Sequence, residues 1–103
     1  MDKVPTYNAT IYVGCKERDT GFLHSLDEVK AICQEYCDEI GLCVTVTATD
    51  YIYTNGHEPG AIIGFINYPR FPSAPEQIRK EAMELAYRLL RKLNQYRISI
   101  VFS

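Results

Sequence analysis

Leu42–Tyr68, LCVTVTATDYIYTNGHEPGAIIGFINY, holds two stretches of strand character around one turn signal. In the first half apolar and polar side chains alternate. Val44, Val46 and Ala48 fall on one face and Thr45, Thr47, Thr49, Tyr51 and Tyr53 on the other, the period of a strand with one covered side. Asn55-Gly56 then signals a hairpin, Glu58-Pro59-Gly60 lengthens the connection, and a second strand is expected over about Ala61 to Tyr68. Two strands so joined pair antiparallel.

The flanks decide what this hairpin packs against. Upstream, Ser25 with Glu28 three residues later is a capping box, and Leu26, Val29, Cys33, Tyr36, Cys37 and Ile40 recur at helical spacing until Gly41. A first helix is therefore expected from about residue 26 to 40, preceded by a strand over Ala9 to Cys15 and a polar loop from Lys16 to His24. Downstream, Pro69, Pro72 and Pro75 punctuate a loop, Ser73 is positioned as an N-cap, and Ile78, Ala82, Leu85, Ala86, Leu89 and Leu93 give a long second helix. A last strand spans Arg97 to Phe102. The order β-α-β-β-α-β predicts an α+β, ferredoxin-like two-layer sandwich over residues 1–103: a four-stranded antiparallel sheet with two helices on one face.

Composition narrows the partners. The chain is 47% hydrophobic and 23% charged over 103 residues, which excludes a disordered tail or fibre, and eleven basic against thirteen acidic residues argue against holding a nucleic acid polymer by phosphate neutralisation. A small anion stays open as a ligand. No apolar run reaches the roughly eighteen residues that cross a bilayer, and no secretory signal opens the chain, so a cytoplasmic protein is expected. Cys15, Cys33, Cys37 and Cys43 then read as free thiols, with Cys33 and Cys37 on the core face of the first helix. Phosphate-cradling GxxxxGK[ST], dinucleotide GxGxxG and GxSxG patterns are missing from the sequence, and its two histidines lack metal-ligand spacing, so neither a metal nor a cofactor is expected.

The topology gathers distant loops at one end. The loop after the first strand, the hairpin and the Asn94-Gln95 connection meet there, bringing His24 and His57 together with Lys16, Glu17, Arg18, Asp19, Asn55 and Glu58, beside an amino-terminal helix end that favours an anion. The expected ligand- or partner-binding residues are Tyr12, Lys16, Arg18, His24, Tyr53, Asn55, His57 and Glu58, joined at the opposite end by Arg70 before the second helix. The open sheet face should expose Thr10, Tyr12 and the odd-numbered residues from Thr45 to Tyr53. With Met83, Tyr87 and Leu90 broadening the second helix, this predicts self-association as a homodimer or higher oligomer.

Ile11-Tyr12-Val13-Gly14 resembles the first short motif of the RNA-recognition-motif family, and Gly64-Phe65-Ile66-Asn67-Tyr68 its second. That resemblance implies a single-stranded RNA binder in which Tyr12 and Phe65 stack on bases. Across more of the chain, Tyr12-Val13-Gly14, Gly41-Leu42, Glu58-Pro59 and Asn94-Gln95 resemble a loosely defined set of small ferredoxin-like proteins of unknown function. The compact acidic domain is also similar in class to phage-encoded inhibitors of host defence. The expectation that follows is a non-catalytic binding module that sequesters a small anionic, nucleotide-like ligand or blocks a host protein. The alternative is a small enzyme using His57 or Glu58 as acid or base, with Lys16 or Arg18 holding a substrate anion.

Overall fold

A computed structural model describes residues 8–66 and 74–102. Strand β1 (Ala9–Gly14) alternates as its sequence demands: Ala9, Ile11 and Val13 are buried while Tyr12 faces out. Helix α1 (Leu26–Ile40) begins at a complete capping box, in which the Ser25 hydroxyl accepts from the Glu28 amide at 3.1 Å and the Glu28 carboxylate accepts from the Ser25 amide at 3.3 Å. It ends at Gly41, whose φ of 82° is the left-handed conformation that glycine adopts without strain. Ser25→Ala removes the first of those bonds and should lower stability by about 1 kcal/mol in denaturant unfolding.

β2 (Val44–Tyr53) and β3 (Gly56–Phe65) form the hairpin, α2 (Pro75–Lys92) follows, and β4 (Ser99–Phe102) closes the sheet in the order β2-β3-β1-β4, every neighbouring pair antiparallel. This is the expected ferredoxin-like layout. The core lies between the sheet and both helices: Ile11, Val13 and Ile63 from the strands meet Val29 and Tyr36 of α1 and Leu85 and Leu89 of α2. Tyr36 buries its ring and donates its hydroxyl to Glu84 at 2.8 Å, tying the helices together, while Arg88 lies over that ring and bonds Glu39 at 2.7 Å. Burial pushes the thiol of Cys33, in the core, up to about 12 and raises that of half-buried Cys37, so both are protonated at neutral pH.

Several boundaries differ from expectation for physical reasons. The hairpin turn is tight, Thr54-Asn55 with Asn55 at φ 62°, so His57, Glu58 and Pro59 belong to β3 rather than to a lengthened loop. Pro59 is tolerated there because backbone N and carbonyl of one residue point the same way. Both face the end of β1, where the Pro59 carbonyl accepts from Cys15 at 3.0 Å and the Cys15 carbonyl, left without an N–H at residue 59, accepts from His24 at 2.8 Å instead. The hairpin runs on past β1, from Asp50 opposite Pro59 to Tyr53 opposite Gly56, and loses its helix cover: Ile52, on the helix-facing parity, is 78% exposed. Ile40 lies exposed at the last turn of α1, and Ile32 fills the core position instead. Helix α2 is capped by Ala74 without a side-chain bond, and β4 starts at Ser99, two residues after the expected Arg97. Ser73 and Arg70 lie outside the described residues. Met83 and Tyr87 are exposed on α2, and Leu90 is half-buried.

Candidate functional site

The open face of the sheet is bare at one spot. Gly14 of β1 pairs with Gly60 of β3, and Gly60 with Thr49 of β2, so the ladder there carries two adjacent residues without side chains. Tyr51 fills half of the gap: its ring lies over Gly60 and its hydroxyl donates to the carbonyls of Ala61 at 3.1 Å and Val13 at 3.2 Å. Burial, followed by the nearby Cys15, Tyr12 and Glu58, pushes that phenol up to about 12, so it remains a donor at neutral pH.

The other half, over Gly14, is bordered by acceptors. A methyl group on Gly14 would stand 3.0 Å from Gln95 Oε1 and 3.5 Å from Glu58 Oε1. Glu58 reaches this spot because it sits opposite Tyr51 on the outward parity of the hairpin. Gln95 reaches it from the α2–β4 connection. Its side chain is buried, with Nε2 donating to the carbonyls of Lys16 at 2.9 Å and Leu93 at 3.1 Å, and this turns Oε1 toward Gly14. Tyr12, two residues before Gly14 on the same face, adds a ring that is 37% exposed. A carboxylate and an amide oxygen beside two aromatic rings suit a ligand that has hydrogen-bond donors or positive charge and a flat ring.

On the other side of β3, the loop after β1 makes a second cluster. His24 is held between two carboxylates, Nε2 at 2.7 Å from Glu17 and Nδ1 at 2.7 Å from Glu28, with the Phe22 ring edge-on at 4.9 Å. Burial opposes charge on the imidazole, and the bonds to Glu28 and Glu17 outweigh it, leaving the ring easier to protonate than an ordinary histidine. Glu17 also accepts from Thr20 at 3.0 Å and from Asn94 at 3.1 Å, and these bonds hold its carboxyl below the usual range. Tyr96 donates to Asp19, a further link between this loop and the α2–β4 connection. A cavity of about 220 Å³ lies behind, lined by Cys15, His24, Leu26, Asp50 and Pro59 among others. Burial, with Glu28 and Glu58 adding to it, raises the Cys15 thiol and keeps it protonated.

The expected site residues therefore divide into separate groups. Tyr12 and Glu58 meet at the bare patch. Lys16 contributes its carbonyl to Gln95, its side chain is exposed, and Arg18 is exposed further along the same loop. His24 belongs to the carboxylate cluster, whereas Tyr53, Asn55 and His57 stand on the protruding hairpin, His57 with the opposite parity to Glu58. Phe65, the second stacking residue implied by the RNA-recognition-motif resemblance, is buried on the helix side at 7% exposure and cannot stack on a base. Sequence reasoning missed Gln95 and Tyr51 as site residues. An aromatic opposite a strand glycine was the available signal for Tyr51. Among the described residues no group of three or more acidic, cysteine or histidine side chains is arranged for a metal, and no helix is long and apolar enough to cross a membrane.

No family model and no curated protein sequence matches the chain. Solved structures do. A phage SAM lyase in its apo state matches with a TM-score of 0.78 at 16% identity, covering 100% of this chain and 85% of that one. A phage SAM lyase in complex with S-methyl-5′-thioadenosine matches with a TM-score of 0.77 at 18% identity and the same coverage. A DUF3240 family protein from Shewanella baltica matches more loosely, with a TM-score of 0.52 at 8% identity over 96% of this chain and 89% of that one. At these identities the likeness is one of fold, and the fold this chain shares from end to end is that of the phage SAM lyases.

Proposed function

We propose that the chain binds S-adenosylmethionine at the bare patch over Gly14 and cleaves it to methylthioadenosine. The observation that carries this reading is the convergence of Glu58 Oε1 and Gln95 Oε1 on Gly14, in a chain that follows the SAM lyase fold along its whole length. The ligand supplies what the patch lacks: an ammonium and ribose hydroxyls as donors for the two oxygens, an adenine for Tyr12, and net positive charge for the Glu58 carboxylate. A nucleotide phosphate would face Glu58 unfavourably, so the anionic ligand expected from the loop cations and the helix amino end gives way to a cationic one.

The chemistry asks little of the protein. When the bond between sulfur and the four-carbon tail breaks, its electron pair stays on sulfur and neutral methylthioadenosine leaves. The tail completes its valence by losing a proton or by closing on its own carboxylate. Neither water nor a co-reactant is consumed. Holding the tail in one bent shape is what remains for the protein, and Glu58 and Gln95 are placed to do that. Removing a host's methyl donor also fits the class of phage-encoded inhibitors of host defence.

Calorimetric titration tests the binding half. S-adenosylmethionine and methylthioadenosine should both bind, while ATP at the same concentration should give no saturable heat. Saturable binding of ATP with neither nucleoside bound would refute the site as drawn.

A further inference from the structure

His24 carries an inference that the lyase reading does not use. A neutral imidazole has one N–H and one lone pair, yet both ring nitrogens stand 2.7 Å from carboxylate oxygens, which only accept. The cluster closes only when the ring carries both protons. The groups facing it are Glu17 from the loop, Glu28 from α1, the protonated Cys15 thiol at the end of β1 and, across the cavity, Asp50 of β2, with Glu58 on the opposite face of β3. The acidic groups all favour the charged ring.

We propose that Glu17, His24 and Glu28 form a proton-operated tie that latches the 16–24 loop to α1 and, through Glu17, to the Asn94–Gln95 connection, and that loss of the imidazole proton releases the loop. The direction of release follows from what anchors each carboxylate. Glu28 belongs to α1 and is fixed by the capping box to Ser25, whereas Glu17 rides on the loop with Thr20, so the loop is the element that gives way when the ring loses a proton. Glu17 then moves away, and its bond to Asn94 moves with it. The neighbouring Lys16 carbonyl holds Gln95 Nε2, so release of the loop leaves that amide with its Leu93 bond alone and loosens the oxygen that stands beside Glu58. This regulates the ligand site and in that respect rests on the lyase reading; the tie itself does not.

The sign is fixed by linkage. A ring whose pKa in the fold lies above its ordinary value of 6.5 contributes stability in full below that value and loses it as pH rises through the raised one. The carboxyls of Glu17 and Glu28 lie below 4.5 and lose their contribution only as pH falls through those lowered values. The tie is closed between these limits.

Amide hydrogen exchange on the ligand-free protein, corrected for intrinsic rates, tests it at pH 6 and pH 9. Residues 16–24 and 94–96 should lose about tenfold in protection at the higher pH, the size expected for loss of one charge-assisted hydrogen bond. In His24→Gln and in Glu17→Gln they should be weakly protected at both. An NMR titration should place His24 above 6.5. Equal wild-type protection at the two pH values, or a His24 titration at or below 6.5, overturns the tie. A protection change with no nucleoside binding at either pH would leave the tie standing and remove the lyase reading.

Discussion

Glu58→Gln is expected to reduce S-adenosylmethionine turnover by about a hundredfold or more while the thermal unfolding curve stays in place. The size follows from losing the group that holds the ligand's tail in its reactive shape, since misplacing a reactant by about 1 Å typically costs about 10²-fold in rate. Glu58 is half-buried on an extended hairpin where β1 has already ended, so the change leaves the ladder and the core untouched. The amide retains an acceptor of the same shape but not the negative charge. Affinity for cationic S-adenosylmethionine should therefore fall further than affinity for neutral methylthioadenosine. Glu35→Gln, an exposed carboxylate change on α1, serves as the control and should leave both unaltered. Equal turnover in Glu58→Gln and wild type would show that the patch over Gly14 is not where the ligand reacts.

Gly60→Ala should cost about 3 kcal/mol, near the upper end of what overpacking inflicts, and lower Tm by roughly 15 °C for a domain of this size. A Cβ at Gly60 would stand 2.5 Å from the Val13 carbonyl oxygen and collide with the Tyr51 ring. The carbonyl belongs to the β1–β3 ladder and cannot retreat without opening it. Tyr51 can rotate away, but only by giving up its bonds to Val13 and Ala61 and exposing the backbone it covers. The double change Gly60→Ala with Tyr51→Ala should recover part of the loss, leaving the share due to the carbonyl. A Gly60→Ala protein with the wild-type Tm would mean that Tyr51 and β1 are far more yielding than the geometry implies.

The secondary elements were legible because each rests on local chemistry. α1 begins and ends where Ser25, Glu28 and Gly41 say, and the valines and threonines of β2 alternate as written. The hairpin was misplaced at a residue pair whose usual meaning is overridden by position: Glu58-Pro59 reads as loop, yet a proline is harmless on a strand at the point where its neighbour stops. Tyr12 and Glu58 were visible as candidates, since both lie on or beside the open face. Gln95 was not, because its role depends on a long-range bond from its amide to the Lys16 carbonyl, which no spacing encodes. His24 was read as part of the ligand site with His57, but Glu17 and Glu28 had captured it. Phe65 shows the reverse failure: its motif resembled a stacking strand, and the register turned it into the core.

Mass-resolved chromatography of the products after incubating the purified protein with S-adenosylmethionine decides whether the protein cleaves this ligand. Methylthioadenosine should accumulate in proportion to wild-type protein, without added metal or co-reactant, and Glu58→Gln should reduce it to near the spontaneous background. Recovery of intact S-adenosylmethionine with the wild-type protein, at concentrations that saturate binding, would contradict cleavage and leave sequestration of the nucleoside as the activity of this site.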